Sequence, residues 1–136
     1  MTGKSLKPGE TNILISQAGW AWPQALKQIF KPSGVNLLMA ESSEDFINVA
    51  GHKRVHIAII DMDSEKVNGL ATLKIMKKEF PLLPCILLSS RIEQPLLDTA
   101  LKLDVFSVID KPVDLEILRQ QLNRLFHKKY NSDVFA

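Results

Sequence analysis

Asp61 ends the most apolar stretch of the chain and is the first candidate for chemistry. It closes the run IAII at residues 57–60, inside the segment VHIAIIDMDSEKVNG at residues 55–69. The run is too short for a helix and is mostly β-branched, which predicts a strand buried on both faces. In an open α/β sheet, ligands and chemistry collect beyond the carboxyl ends of such strands. The alternative for this stretch alone is that Asp61 only begins a turn.

Polar side chains follow three other short apolar segments. Gln17 follows residues 12–16, Ser89 follows residues 85–88, and Lys111 comes shortly after residues 105–109. If these segments are parallel strands of one sheet, their carboxyl ends meet at one edge. We therefore expect these three side chains to lie near Asp61, although all four are far apart in the sequence.

Between the predicted strands, apolar residues recur at helical spacing. Strands are predicted at residues 12–16, 35–39, 57–61, 85–88 and 105–109. Helices are predicted to begin near Pro23, at Ser42 or Ser43, near Leu70, at Pro95 and at about Asp114. Strands that alternate with helices across short linkers predict an α/β fold, in which a five-stranded parallel sheet is covered by five helices on both faces.

Composition excludes several classes of protein. The chain has 136 residues, of which 46% are hydrophobic and 24% charged, and its net charge is +2. No apolar run approaches the roughly 18 residues of a membrane span, and no signal peptide is evident, so we expect a cytoplasmic protein. We predict a disordered tail at residues 1–11, one domain at residues 12–129 and a C-terminal tail at residues 130–136. The single cysteine, Cys85, lies in an apolar run and is given no chemical role.

The most basic cluster of the sequence lies near its end. His127, Lys128 and Lys129 fall in the last turn of the final predicted helix, where cations complement the helix dipole. A nucleic-acid interface would need more charge on one face, so we do not expect this domain to bind nucleic acid directly.

In this order and spacing, the polar residues resemble the receiver domain of bacterial two-component response regulators, over about residues 12–128. Three features carry the resemblance: Asp61 with Gly69 eight residues later, Ser89 at the end of the fourth strand, and Lys111-Pro112 after the fifth. The resemblance implies a (βα)5 flavodoxin-like fold and a signalling function rather than an enzymatic one. It also implies that Asp61 is the phosphoacceptor. Lys111 would then pair with the phosphoryl group, and Ser89 would hydrogen-bond it.

The sequence departs from this family at the metal site. The resemblance implies a Mg²⁺ ion held by an acidic pair after the first strand, by the phosphoacceptor and by a backbone carbonyl two residues later. Gln17 and Ala18 stand at the positions of the acidic pair, and Asp63 stands at the carbonyl position. Mg²⁺ sites usually need one or two carboxylates among their ligands. We therefore expect Asp61 and, at best, Asp63 to bind the metal, and to bind it weakly.

A second departure concerns the aromatic residue that the family uses as a switch. Val108 stands at its position, three residues before Lys111. Phe106 is predicted to share a strand face with Val108, so it is either a partial replacement or ordinary packing.

Three functions remain open. The first is a receiver phosphorylated on Asp61 by a histidine kinase or a phosphotransfer protein. The second is a pseudo-receiver that acts only through protein interaction or dimerisation. The third, an unrelated flavodoxin-like enzyme or cofactor binder, is disfavoured because no strand-to-helix turn is rich in glycine. We predict a receiver domain whose phosphorylation is weak or absent.

Two contacts follow from this prediction. A symmetric homodimer is expected through the last two helices and the last strand, where Ile117 lies beside the buried stripe of the final helix. Lys111 is expected to pair with Asp61 in the resting protein, because no acidic pair competes for the lysine.

Overall fold

A five-stranded parallel sheet forms the centre of the molecule, as the sequence predicts. The computed structural model describes residues 11–16, 34–64 and 68–136. The strands are Thr11–Ser16 (β1), Val35–Ala40 (β2), Ile57–Asp61 (β3), Cys85–Ser89 (β4) and Ser107–Asp110 (β5). Their order in the sheet is β2-β1-β3-β4-β5, which places β3 at the centre.

The register of the strands determines which residues share an edge. All four strand pairs are parallel. Asp61 is paired with Leu88, the residue before Ser89, and Ser89 is paired with Asp110, the residue before Lys111. The carboxyl ends of β3, β4 and β5 therefore bring Asp61, Ser89 and Lys111 to one rim. Gln17, the fourth residue expected there, lies outside the described residues.

Four helices lie in the described part of the chain. Side-chain oxygens of Ser42, Asn68 and Asp114 accept backbone N–H groups in the first turns of three of them. None of these described helices is both long and apolar enough to cross a membrane. The helix predicted to begin near Pro23 lies outside the described residues. The four helices are Ser43–His52 (α1), Gly69–Glu79 (α2), Gln94–Lys102 (α3) and Leu115–Tyr130 (α4).

The helices bury apolar side chains on both faces of the sheet. One cluster joins α4 to the alternate residues of β1, β3 and β4 that lie on its face, and the other joins α1 and α2 to the remaining residues of these strands. Every residue of β3 and β4 is buried as a result. Each large core side chain contributes roughly 1.5–3 kcal/mol, so this two-sided packing holds β3 and the end of β4 in place. The buried residues of α4 are Leu118, Leu122, Leu125 and Phe126.

The fifth strand begins later than predicted, at Ser107. Phe106 therefore precedes the strand, and it packs against the cluster that contains α4. Val108 packs against the opposite cluster. The prediction of a shared face is wrong, because alternation of side chains applies only within a strand and Phe106 lies before it.

The segment predicted as a C-terminal tail, residues 130–136, packs back on α4. Asn131 adopts a left-handed conformation with φ 49°, which ends the helix and reverses the chain. Phe135 is buried, with its ring centroid 4.9 Å from that of Phe126. Its carbonyl oxygen accepts a hydrogen bond from Arg119 Nη1 at 2.6 Å.

Candidate functional site

Asp61 lies at the carboxyl end of the central strand and is fully buried. Its backbone N–H donates to Ser16 Oγ at 2.8 Å, and the next amide, that of Met62, donates to the Leu88 carbonyl at 2.8 Å. The neighbouring strands thus fix the backbone on either side of the carboxylate. A buried carboxylate is stable only when hydrogen bonds or a cation compensate its lost hydration.

Lys111 supplies that cation. Its Nζ lies 2.8 Å from Asp61 Oδ2 and 3.2 Å from Asp63 Oδ2, and its side chain is 23% exposed. Its backbone N–H donates to the Ser89 carbonyl at 3.1 Å, which holds Lys111 beside the end of β4. Partial burial acts to lower the pKa of Lys111, but the hydrogen bonds and charges of the two carboxylates outweigh it and raise the pKa. The predicted resting ion pair between Lys111 and Asp61 is present.

Asp63 is part of the same network. Its backbone N–H donates to Asp61 Oδ1 at 2.8 Å, and its Oδ2 accepts the backbone N–H of Ser90 at 2.8 Å. Burial acts to raise the pKa of Asp63, yet the hydrogen bonds from Ser90 and Lys111, with the lysine's charge, hold it below its usual value. Both oxygens of Asp61 and one of Asp63 therefore already accept hydrogen bonds.

The hydroxyl of Ser89 makes its hydrogen bonds within the turn that follows β4. It donates to the Arg91 carbonyl at 3.0 Å and accepts the Arg91 backbone N–H at 3.1 Å. Ser89 is 3% exposed and lies at the rim with Asp61, but these hydrogen bonds belong to the turn that follows β4.

Gly69 begins α2 directly against the end of β3. A Cβ atom at this position would lie 2.8 Å from Met62 Sδ, 3.0 Å from the Asp61 carbonyl oxygen and 3.0 Å from Met62 Cα. The shortest of these contacts is with a flexible side chain, but the two backbone contacts are tighter than nine in ten real Cβ contacts, so a side chain here would require the strand end to shift by a few tenths of an ångström. The spacing of eight residues from Asp61 thus has a steric cause.

The comparison with known families decides what this rim is. Residues 21–123 match the sequence model of the response regulator receiver domain. The chain belongs to this family.

Curated relatives of this receiver domain come from bacteria. A putative NtrX-like response regulator of Rickettsia typhi is 29% identical over 96 residues, which are 69% of this chain and 20% of that protein. The transcriptional regulatory protein GlrR of Escherichia coli is 28% identical over 90 residues, 66% of this chain and 20% of that protein. The receiver chain thus spans about a fifth of the length of these relatives.

Solved structures show the same fold. A two-component response regulator from Clostridium difficile superposes with a TM-score of 0.78 at 20% identity, covering 90% of this chain and 99% of that one. A CheY-like receiver domain from Methanospirillum hungatei gives a TM-score of 0.75 at 19% identity, covering 90% and 98%. The predicted flavodoxin-like receiver fold is confirmed.

The described residues of this receiver's rim do not supply the donor set of a usual Mg²⁺ site. Mg²⁺ prefers six oxygen ligands in an octahedron and retains several waters. The described residues contain no cluster of three or more acidic, histidine or cysteine side chains that could hold a metal ion. The two carboxylates present, Asp61 and Asp63, have the Lys111 ammonium between them, and its charge opposes a second cation. Gln17 and Ala18, which follow β1, lie outside the described residues.

Two contributors to the receiver's rim were missed from sequence. Ser16 Oγ holds the Asp61 backbone, and the Ser90 N–H holds the Asp63 carboxylate. Ser16 could have been found, because a hydroxyl residue at the carboxyl end of β1 faces the same edge as Asp61. A backbone donor such as that of Ser90 carries no signal in residue type.

Proposed function

We propose that this chain is a two-component receiver domain in which Asp61 holds the phosphoacceptor position but is phosphorylated weakly or not at all. One observation carries the proposal. The Lys111 ammonium lies within 3.2 Å of the carboxylates of both Asp61 and Asp63, so this cation is already committed to them. The partner that the proposal implies is a histidine kinase or phosphotransfer protein, and the location that it implies for this chain is the cytoplasm.

The chemistry of phosphoryl transfer supports this. An Asp61 oxygen must present a lone pair to phosphorus, while the incoming group carries its own negative charge. Cations near the transferring oxygens must offset that repulsion. Lys111 provides one positive charge, and Asp61 and Asp63 together provide two negative ones. The rim therefore opposes an incoming anion more than a rim with additional bound cations would.

Weak binding of Mg²⁺ is the first test. We expect calorimetric titration to show no saturable binding of Mg²⁺ below about 1 mM. Each lost charged ligand that weakens the affinity tenfold removes about 1.4 kcal/mol of binding free energy. The double variant Gln17→Asp with Ala18→Asp should create saturable binding. Native binding below about 1 mM that Asp61→Ala abolishes would contradict the proposal.

The second test measures phosphate uptake directly. The native chain and the Gln17→Asp, Ala18→Asp variant are incubated with acetyl phosphate and Mg²⁺, and intact mass reports the phosphorylated fraction. We expect a small or undetectable fraction for the native chain and a larger one for the variant. Asp61→Asn in each background is the control for the site. Rapid, near-complete phosphorylation of native Asp61 would contradict the proposal and show that the chain is a receiver with ordinary phosphorylation.

A pseudo-receiver that works by protein contact is the second candidate, and the surface of α3 favours it. This helix buries only Ala100, while Leu97 is 41% and Leu101 83% exposed; on α4, Ile117 is 47% exposed. We propose that these side chains belong to a symmetric homodimer formed by α3, β5 and α4. Sedimentation of the native chain should show a dimer, and Leu101→Glu should reduce it. A native chain that stays monomeric at high concentration would exclude this interface.

A further inference from the structure

A cationic cavity lies at the end of the sheet opposite to Asp61. Its volume is about 410 Å³, and it is bounded by α2, by the segments that lead into β4 and β5, and by the C-terminal half of α4. Four cationic side chains line it, and one acidic residue, Asp104, does so as well. The cations are Lys77 of α2 and Arg124, Lys128 and Lys129 of α4.

These cations are not neutralised by carboxylates. Among the described residues, the ion pairs involve Lys111, Arg119 and His127, and none involves a cation of the cavity. Lys77 Nζ donates instead to the backbone carbonyl of Asp104 at 3.1 Å. Four cations around one acidic residue exceed the net charge of +2 of the whole chain. The lining therefore carries a local excess of positive charge, which attracts anions.

Complementation of helix dipoles explains only part of this arrangement. Lys77 lies in the last turn of α2, and Lys128 and Lys129 lie in the last turn of α4. Cations at those positions stabilise a helix wherever the neighbouring helix happens to be. Dipole complementation accounts neither for Arg124, which precedes the last turn, nor for the convergence of two helix ends on one cavity.

The rest of the lining is apolar or offers hydrogen bonds. Two of the lining residues are Leu82, which is 94% exposed, and Phe106, which is partly buried. Ser107 also lines the cavity, and its Oγ is buried without a hydrogen-bond partner among the described residues. The volume falls in the range of roughly 300–1,000 Å³ that is typical of small-molecule sites.

We propose that this cavity binds a small organic phosphate, an anion with at least two phosphate groups beside an apolar ring, as in a nucleoside diphosphate. The arginine fork of Arg124 suits a phosphate bidentately, and the lysines act as point charges around it. Leu82 and Phe106 offer the ring an apolar wall. A nucleic-acid backbone is the poorer fit, because it requires a long basic stripe, and these cations converge on one concave site.

Titration with ADP, pyrophosphate and adenosine tests the proposal on the full chain. We expect saturable changes in the backbone amide NMR signals of residues 104–107 with ADP, and weaker binding of pyrophosphate and of adenosine. Arg124→Gln should weaken ADP binding about tenfold, the effect of losing one charge-assisted phosphate contact. Lys77→Gln should weaken it by about threefold, as for a single exposed charge pair. Lys74→Gln is the matched control, since Lys74 is exposed on α2 but does not line the cavity.

Several results would overturn the proposal. The first is the lack of any saturable change with ADP up to about 10 mM. Equal losses from Lys74→Gln and Lys77→Gln would show a general charge effect. Equal affinity for ADP and pyrophosphate would exclude a role for the apolar wall. Binding of duplex DNA that depends on Arg124, without binding of ADP, would identify a nucleic-acid surface instead. Thermal unfolding of each variant shows that a lost signal does not come from a lost fold.

Discussion

The two ends of the sheet hold their charges in opposite ways. At the carboxyl end, Lys111 lies 2.8 Å and 3.2 Å from the carboxylates of Asp61 and Asp63, and Asp61 is fully buried. At the amino end, four cations line an open cavity and none forms an ion pair within the described residues. The first set of charges is committed to internal contacts. In the second set, Lys77 donates to a backbone carbonyl, but no described carboxylate neutralises any of the four cations, so their charge is available to a ligand.

This difference follows from burial. A carboxylate removed from water needs hydrogen bonds or a cation to compensate it, because an uncompensated buried charge costs several kcal/mol. Lys111 is therefore needed for the stability of the rim, whatever it does in signalling. Cations at the surface of a cavity keep much of their hydration and are screened by salt, so they persist without partners. A residue conventionally assigned to the phosphoryl group thus has a structural role here, and the free positive charge lies elsewhere.

The largest expected effect comes from removing the cation at the carboxyl end. Lys111→Met should destabilise the domain by about 3 kcal/mol, because Asp61 is then buried without its counter-ion. Adding Asp61→Asn should recover a large part of this loss, since the two changes act on one interaction. Urea denaturation of the native chain, both single variants and the double variant measures the coupling. Losses that simply add would show that the two side chains do not depend on each other.

The ion pair should also be visible in the titration of Lys111. Asp61→Asn removes the first of the two carboxylates that raise its pKa, so we expect the pKa of Lys111 to fall. Heteronuclear NMR of the lysine side chain gives this value in both proteins. The signal that disappears in Lys111→Arg identifies the Lys111 side chain. An unchanged pKa would place Lys111 outside the influence of Asp61.

The fold and the central pair could be predicted from sequence because both depend on long-range rules with few alternatives. Alternating strands and helices imply a parallel sheet, and a parallel sheet brings the ends of β3 and β5 to one edge. Asp61 ends β3 and Lys111 directly follows β5, so these opposite charges were expected to pair. The start of β5 was harder to predict from sequence. Val105 and Phe106 are apolar and typical of a strand, but the strand begins at Ser107.

The hydrogen bonds of the rim and the amino-end cavity could not be predicted in the same way. Asp63 joins the network through the backbone N–H of Ser90, and residue type does not indicate such a contact. Lys128 and Lys129 were interpreted as dipole complementation, which concerns a single helix. The cavity appears only when α4, α2 and the segments before β4 and β5 are assembled, so it depends on packing between elements rather than on local pattern.

Acid unfolding should show a smaller effect at the carboxyl end. The folded protein holds the pKa of Asp63 below its usual value, so the unfolded chain takes up this proton first as the pH falls. The stabilising contribution is therefore present above the ordinary value of about 3.9 and is lost as the pH falls through the folded pKa. Asp63→Asn should lower stability at pH 7 by less than about 1 kcal/mol and flatten its decrease below about pH 4.

The control for this measurement is Asp98→Asn. Asp98 is an exposed residue of α3 whose carboxylate accepts a hydrogen bond from Gln94, and it forms no ion pair with a described residue. Chemical denaturation at a series of pH values between about 3 and 7 compares the three proteins. If the free energy of unfolding decreases identically in the two variants as the pH falls, Lys111 and Ser90 do not lower the pKa of Asp63.

The smallest expected change in stability comes from removing a cation at the amino end of the sheet. This change should be stabilising at low salt, whereas removing Lys111 at the carboxyl end should be destabilising. Arg124→Gln, before the last turn of α4, should leave stability within about 0.5 kcal/mol of the native value, because exposed charges without partners contribute little. At low salt the change should be stabilising, since removing one of the like charges relieves their mutual repulsion. The gain should vanish near 1 M salt, where the screening length falls to about 3 Å. Urea denaturation at two salt concentrations tests this. A loss comparable to that of Lys111→Met would mean that the cavity cations are committed to internal contacts after all, and the contrast between the two ends would disappear.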